Sequence, residues 1–263
     1  LYHSKSFRMK GKIALLDYFD GKEAAALLID GELHDFFPEL GANAPGSIFK
    51  VKVKHQIKGS GGIFVESPDG DFFLHKTKGI TAGDVILVQV SSYGDREKLP
   101  RVTTKLLFKS RYVIVTPFNE GLNIAKNIQD NETRIQLKQL VVEGLNHIPY
   151  GMIMRSSCAS ANKSEIISDC KNTIMTAQNA LSAEDKQMGL IHRAPSPHQL
   201  AWREWIDMPA LDKTSGTFAD HGVLELIDEL KHSKVILNDG NYYIEPTKAF
   251  VAIDVNTAGD ISF

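Results

Sequence analysis

The sequence predicts an α/β (α+β) fold assembled from several modules. Short stretches that alternate apolar and polar side chains crowd residues 47–117, whereas residues 130–142, 162–181 and 219–234 repeat apolar side chains with helical spacing. Near the end of the chain, residues 249–255 form a mostly apolar run that is typical of a strand covered on both faces. The 263 residues, 43% of them hydrophobic and 24% charged, suffice for two or three modules.

Composition narrows the class of protein. The net charge of -2 and the pI near 6.5 indicate no overall basic surface, so any nucleic-acid site has to be local. Cys158 and Cys170 are too far apart for a C-x-x-C motif, which favours a reducing compartment. No signal peptide is visible and no apolar run reaches roughly 18 residues, so we expect a cytoplasmic protein without a membrane span. Residues 1–8 read as a vector-derived leader before a native start at Met9.

Three short strands are predicted first, at residues 13–17, 24–29 and 32–37, because Asp20-Gly21 and Asp30-Gly31 are strong turn dipeptides. The next stretch places Lys50, Lys52 and Lys54 on one face of a strand. A lysine-guarded edge strand is the alternative interpretation of that row. Residues 101–116 read as one long strand with a second basic face.

Two phenylalanines flank the turn Pro68-Asp69-Gly70, and we expect Phe64 and Phe73 to lie side by side on adjacent strands. Five short strands in this region suggest an OB-fold. Exposed rings beside lysines suit single-stranded RNA, because each base that stacks on a ring contributes about 1–3 kcal/mol. Packing of both rings in the core is the alternative.

The middle of the chain predicts two helices and, between them, a buried strand that ends at Arg155. Asp130 or Asn131 caps the first helix, and Asn162 to Glu165 has the spacing of a capping box for the second. A guanidinium followed by a hydroxyl suits a terminal phosphate. The alternative is an ion pair of Arg155 with a helix carboxylate, Glu165 or Asp169.

The last third of the chain predicts one helix over 219–234 and a hairpin of residues 242–245 with 249–255. We expect Asp254 and Asn256 to point to the same face of the final strand. A carboxylate on a buried strand needs a partner such as a cation. Capping of the following turn by Asp254 is the alternative. Trp202 and Trp205 read as core or interface residues.

The run from Glu245 to Thr257 resembles the catalytic strand of the ribonuclease E/G family, and the similarity extends from Lys12 to Phe263. The stretch 200–205 resembles a shorter branch of that family. The resemblance implies a ribonuclease H-like split α/β domain, an inserted S1-type OB-fold barrel and a phosphate-sensing segment. The corresponding boundaries are 9–46 for the first part of the split domain, 47–106 for the barrel, 107–182 for the sensing segment and 183–263 for the remainder with the catalytic strand.

The same resemblance implies a magnesium-dependent endoribonuclease that cleaves single-stranded RNA, preferably 5′-monophosphorylated. Asp254 matches the family's Mg²⁺ ligand and Asn256 its supporting residue. The matching RNA-binding positions are Phe64, Phe73 and Lys98, and those for the 5′-phosphate are Arg155 and Ser156. A homo-oligomer is compatible with the resemblance.

One departure from the family pattern concerns its second magnesium-binding aspartate, which lies on a further strand. This sequence ends nine residues after Asp254, and Asp260 is a poor substitute because it follows a glycine in a predicted loop. The family's C-x-x-C zinc link is also missing from this sequence. We therefore expect either a truncated chain or a longer protein whose C-terminal part is missing from this sequence. The alternative function is RNA binding without cleavage.

Overall fold

A computed structural model of the chain describes residues 11–56, 61–75, 77–94, 98–182, 187–206, 217–237 and 239–257. The fold divides into two compact units, one of Leu1–Pro38 with Asp207–Phe263 and one of Glu39–Ile206. The predicted leader at residues 1–8, the start at Met9 and Asp260 lie outside the described residues. Within those residues no helix is long and apolar enough to cross a membrane.

The first unit begins with the three predicted strands, which form an antiparallel meander of β1 (Lys12–Phe19), β2 (Lys22–Ile29) and β3 (Glu32–Pro38). Asp20 and Asp30 adopt φ angles of 51° in the two tight turns, as the Asp-Gly dipeptides predict. Asp17 is buried, and its carboxylate accepts hydrogen bonds from the backbone N–H groups of Tyr18 (2.8 Å) and Phe218 (2.9 Å). These contacts bind the meander to the helical part of the same unit.

The second unit contains a closed five-stranded barrel of β4 (Ile48–Gln56), β5 (Gly62–Ser67), β6 (Gly70–His75), β7 (Val85–Ser92) and β8 (Arg101–Thr103). The strands follow one another in the order β4-β5-β6-β8-β7, and β7 pairs with β4 to close the ring. Only the β6–β8 pair of these five strands is parallel. The arrangement is that of an OB-like barrel and confirms the prediction of a mixed α+β fold with such a barrel.

A four-stranded sheet with two helices follows in the same unit. It consists of β9 (Phe108–Lys109), β10 (Val113–Thr116), β11 (Leu122–Ile124), α1 (Asn131–Gly144), β12 (Gly151–Met154), a 3-10 helix (Ser156–Ser160) and α2 (Lys163–Leu181), with strand order β11-β12-β10-β9. The long strand predicted over 101–116 is therefore wrong, since this stretch is divided among β8, β9 and β10. Asp130 caps α1 as predicted. Helix α2 starts after Asn162, but the predicted capping hydrogen bond from Asn162 does not form.

The segment after α2 returns to the barrel. Its strand β13 (Gly189–His192) pairs with the first half of β4, along the edge on which β5 pairs with the second half. The carboxylate of Asp69 accepts the N–H of Leu190 (2.7 Å), and the hydroxyl of Ser47 accepts the N–H of Ala194 (2.9 Å). The following helix α3 (Pro197–Glu204) is thereby tied to the barrel. Because β4 is paired along both edges, the edge-strand interpretation of its lysines is wrong.

The remaining elements of the first unit are α4 (Thr217–Asp220), α5 (Val223–Glu229), β14 (Lys234–Leu237), β15 (Gly240–Pro246) and β16 (Val251–Thr257). The single helix predicted over 219–234 is wrong, because Gly222 adopts the left-handed conformation (φ 70°) and separates α4 from α5. From helical spacing, we expect Val223, Leu224, Ile227 and Leu230 to face inward. Val223 and Ile227 do so, in the same apolar cluster as Leu15, whereas Leu224 and Leu230 are exposed.

The final hairpin of β15 and β16 forms as predicted, but the expectation of a buried strand is wrong. Val251, Ile253 and Val255 are 56%, 65% and 65% exposed. The physical reason is that β16 pairs with β15 along one edge and the described residues supply no layer that packs on its apolar face. The strand also begins two residues later than predicted, because Thr247 and Phe250 close a turn.

Candidate nucleic-acid interface

The two predicted stacking residues lie on the outer surface of the barrel. Phe64 and Phe73 are directly opposite each other on β5 and β6, with ring centroids 6.5 Å apart and nearly perpendicular planes. Both rings are half-buried, whereas their neighbours in sequence, such as Val65 and Phe72, fill the barrel core. The structure therefore places them side by side, as expected, and the alternative of core packing is wrong.

The same surface carries further rings and charges. The rings of His55 and His75 flank the phenylalanine pair at 5.6 Å and 5.3 Å. Gly62 leaves space for the Phe73 ring, since a Cβ atom there would approach the ring to 2.2 Å. Lys54 forms an ion pair with Glu66 (2.5 Å) on this surface.

Lys98 is exposed and lies in the loop between β7 and β8. Two residues later, the carbonyl of Pro100 accepts the backbone N–H of Phe73 (3.0 Å), and Arg101 is the β8 partner of Phe73. The structure thus brings the loop of Lys98 beside the strand of Phe73.

Arg155 follows the last residue of β12, and its side chain is only 14% exposed. Its Nη1 donates to the carbonyls of Ser110 (2.6 Å) and Arg203 (3.3 Å), and its Nη2 donates to Oε2 of Glu204 (2.8 Å). An ion pair with a helix carboxylate therefore exists, but the predicted partners are wrong. Glu165 accepts the hydroxyl of Tyr112, and Asp169 accepts the hydroxyl of Ser110 and the backbone N–H of Tyr112.

Ser156 is exposed at the start of the 3-10 helix, next to Arg155. The next residue, Ser157, is buried and donates its hydroxyl to the carbonyl of Arg111 (2.6 Å). The guanidinium of Arg111 lies 5.2 Å from the ring centroid of Trp202 and also donates to the carbonyls of Trp202 and Ile206. Trp202 is half-exposed on α3, whereas Trp205 is buried.

Three cations surround the carboxylate of Glu204, and we call this group the cation cluster (Lys109, Arg155 and Arg203). Oε1 of Glu204 lies 2.7 Å from Nζ of Lys109 and 2.7 Å from Nε of Arg203, while Oε2 contacts Arg155. Burial raises the pKa of Glu204, but the hydrogen bond from Lys109 and the charges of Arg203 and Arg155 lower it more, to about 2. The carboxylate is therefore ionised at every physiological pH.

A cleft of about 560 Å³ adjoins the cation cluster. One wall comes from the barrel, with Gln89 and Thr103, and another from α2, with Asp169 and Asn172. Lys109 and Arg203 belong to both the cleft and the cluster. His192 also lines the cleft, and burial lowers its pKa, so the imidazole is neutral there at pH 7. The cleft therefore lies between the barrel and α2, and two members of the cation cluster line it.

The low pKa of Glu204 predicts a stability change with pH. A carboxylate whose pKa is depressed in the folded state stabilises the fold above its unfolded-state pKa of about 4.5, and this contribution is lost as the pH falls towards 2. Urea unfolding of the parent and of Glu204→Gln should therefore show a stability difference that is largest above pH 5 and shrinks towards pH 2. A difference that stays constant across this window would contradict the assignment.

The predicted catalytic residues lie on the exposed sheet of the first unit. Nδ2 of Asn256 donates to Oδ2 of Asp254 (3.2 Å), so the two side chains share one face as predicted. Tyr243 is directly opposite Asp254, and Lys234 is directly opposite Tyr243, with its Nζ 5.6 Å from the ring centroid. A row of lysine, tyrosine and aspartate therefore crosses the sheet. Asp254 is in the strand and does not cap a turn among the described residues.

A magnesium ion bound at Asp254 would have to keep much of its own water. Such ions are often held by one or two carboxylates together with substrate phosphates. Asp254 is exposed, and its amide neighbour holds only one carboxylate oxygen. Among the described residues no three His, Cys, Asp or Glu side chains cluster as a complete metal site.

Sequence reasoning missed Lys109, Arg203 and Glu204. Lys109 and Glu204 are 95 positions apart, and neither stands in a motif that predicts their ion pair. The one available signal was the Trp-Arg-Glu-Trp run at 202–205, which concentrates charge between two large rings.

Part of the chain that contains this geometry is similar to a known protein family. Residues 108–211, the segment that contains the whole cation cluster, match the Ribonuclease E/G family. This match confirms the resemblance stated from the sequence.

Curated relatives carry corresponding names. The chain is 22% identical over 290 aligned residues to "Ribonuclease E" of Nostoc sp., which covers 89% of this chain and 42% of the relative. It is 26% identical over 212 residues to "Ribonuclease G" of Haemophilus influenzae, covering 68% and 43%. It is 29% identical over 93 residues to a "Ribonuclease E/G-like protein" of Pyropia yezoensis, covering 35% and 18%. The matched part thus spans less than half the length of each of these relatives.

Proposed function

We propose that this chain is part of a magnesium-dependent endoribonuclease, because its residues 108–211 match the ribonuclease E/G family. Its substrate would be single-stranded RNA, preferably with a 5′-monophosphate. The observation that carries the proposal is the position of Arg155, which lies in a cation cluster inside the segment that matches the family.

The barrel supports binding of single-stranded RNA. In OB-folds the face of the second and third strands and the loop between the fourth and fifth strands bind oligonucleotides. Phe64 and Phe73 occupy that face, and Lys98 lies in that loop. Two half-buried rings provide stacking surfaces for bases, while the nearby lysine contacts the phosphate backbone.

The cation cluster supports recognition of a phosphate terminus. A guanidinium presents several N–H donors in one plane, and it binds phosphate oxygens strongly where solvent is partly excluded. Nη1 of Arg155 is fixed by the Ser110 carbonyl, which orients the group. Ser156 supplies an exposed hydroxyl beside it. These features favour a 5′-phosphate pocket at the end of β12.

The proposal assigns magnesium to Asp254, with Asn256 orienting its carboxylate. A bound magnesium ion supplies Lewis-acid stabilisation of charge on the scissile phosphate and a more acidic water. The chain's own contribution is to hold the carboxylate on a paired strand, next to the amide of Asn256. Lys234, two strands away in the same row, adds a positive charge that attracts an RNA phosphate.

The proposed function also implies a fold for the first unit and a cellular compartment for the protein. The meander, the two short helices and the final hairpin would belong to the ribonuclease H-like split domain. Cys158 and Cys170 are free and buried, and burial raises the pKa of each thiol to about 12. Unpaired thiols of this kind support a reducing compartment such as the cytoplasm.

Arg155→Ala tests the phosphate pocket. The variant should bind 5′-monophosphorylated RNA about tenfold more weakly, the cost of a lost charge-assisted hydrogen bond, and should bind the same RNA with a 5′-hydroxyl almost unchanged. Fluorescence anisotropy with the two labelled RNAs at one salt concentration measures both affinities. Arg193→Ala removes an exposed guanidinium and serves as the matched control. Equal losses on both RNAs for Arg155→Ala would remove the sensor from the proposal.

A further inference from the structure

A carboxylate already occupies the pocket that the proposed function assigns to a terminal phosphate. Glu204 makes three charged contacts, at 2.7 Å to Lys109, 2.7 Å to Arg203 and 2.8 Å to Arg155. Each contact is made by an N–H donor that could equally bind a phosphate oxygen. An RNA phosphate that binds Arg155 through Nη2 therefore has to replace Glu204 or share the donor with it.

The charges around Glu204 indicate which ligand can replace its carboxylate. Three cations face one carboxylate, so two positive charges are not balanced within the group. Asp169 on α2 carries a further negative charge, and its Oδ2 accepts hydrogen bonds from the hydroxyl of Ser110 and the N–H of Tyr112. Even when the charge of Asp169 is counted, the three cations exceed the two carboxylates by one positive charge, which a more highly charged ligand than Glu204 would neutralise.

Terminal and internal phosphates differ in charge. A terminal monophosphate carries about 1.5 to 2 negative charges at pH 7 and three free oxygens, whereas each internal phosphodiester carries one charge. Glu204 also carries one charge, and as part of the folded chain it competes at a high effective concentration. A singly charged phosphodiester gains no electrostatic energy by replacing Glu204, whereas a terminal phosphate gains such energy because it carries more charge.

We infer that Glu204 is a specificity-determining residue that keeps internal phosphodiesters out of the Arg155 pocket and yields to a terminal phosphate. The inference rests on the proposed function, because it concerns the same pocket. It assigns selectivity to a competing carboxylate in addition to the donors that bind the ligand. Glu204 is the last residue of α3, and its side chain remains 24% exposed, so an exchanging phosphate can approach it from solvent.

Glu204→Gln tests the inference, because it removes the charge and keeps the shape. The variant should bind 5′-hydroxyl RNA about tenfold more tightly than the parent, since internal phosphodiesters gain the donors that Glu204 held. The preference for 5′-monophosphorylated RNA should shrink accordingly. Glu143→Gln, which removes an exposed carboxylate on α1, is the control for the general effect of one negative charge. An unchanged or weaker affinity of Glu204→Gln for 5′-hydroxyl RNA, in a folded variant, would overturn the inference.

A second measurement uses the parent protein and does not depend on how well the variant folds. Thermal unfolding is followed with inorganic phosphate and with dimethyl phosphate, which carries one charge, at matched ionic strength. A rise in the unfolding temperature with inorganic phosphate but not with dimethyl phosphate supports the inference. An equal rise with the two anions overturns it. No stabilisation by either anion overturns it as well.

Arg155→Ala separates this inference from the proposed function. A selective loss of 5′-monophosphorylated RNA by Arg155→Ala, together with an unchanged Glu204→Gln, keeps the sensor and rejects the role of Glu204. Arg155→Ala without a selective loss rejects the sensor itself and the role of Glu204 with it.

Discussion

Asp254→Asn is expected to lower magnesium-dependent cleavage of single-stranded RNA roughly a thousandfold, because in the proposed function several kcal/mol of metal-derived stabilisation would depend on that carboxylate. The substitution keeps the size of the side chain and its position on β16. Cleavage of a 5′-monophosphorylated RNA in magnesium, followed on denaturing gels, compares the parent and the variant. RNA affinity should stay unchanged, since the barrel and the cation cluster are untouched.

Asp239→Asn provides a matched control for this experiment. Asp239 is an exposed aspartate at the turn between β14 and β15, so the same chemical change occurs in the same sheet. The control should cleave like the parent. Cleavage that survives in Asp254→Asn would reject Asp254 as the metal ligand. A parent that binds RNA and cuts none would instead support the alternative of an RNA-binding chain without cleavage.

Replacing both Phe64 and Phe73 with alanine should weaken binding of single-stranded RNA about a hundredfold, because in the proposed function each ring would stack a base, worth about 1–3 kcal/mol. The effect should be similar for 5′-monophosphorylated and 5′-hydroxyl RNA, since the barrel does not contact the terminus in this proposal. Titrations by fluorescence anisotropy measure the loss.

Phe118→Ala is the matched control for the double variant. Phe118 is 64% exposed in the same unit and lies outside the barrel strands. Its replacement should leave RNA affinity at the parent value. Thermal unfolding checks that the double variant retains its fold. A folded double variant with full RNA affinity would show that the two rings do not form the binding surface.

The barrel could be predicted from sequence because its signals are local. Alternation along each strand and the turn at Pro68-Asp69-Gly70 fix which side chains face outward and which two strands pair. Phe64 and Phe73 consequently lie opposite each other as expected. The start of α1 at Asp130 was equally readable, because a cap is a contact between near neighbours.

The environment of Arg155 could not be predicted in the same way. Its position at a strand end follows from the pattern, but its ion-pair partner depends on how α3 packs 49 positions further along the chain. The exposure of β16 was missed for a related reason. An apolar run predicts a strand, but whether another layer covers it depends on residues distant in sequence.

The pairing of β13 with β4 fixes the distance between the two proposed RNA contacts of the second unit. Because α3 is linked to a barrel strand through a backbone ladder and through Asp69 and Ser47, the span between the stacking rings and Arg155 has little freedom to change. In the proposed function, an oligonucleotide shorter than that span would occupy one end at a time, whereas a longer one would gain from both. Affinity should therefore rise stepwise with RNA length, and only for RNAs that carry a 5′-phosphate.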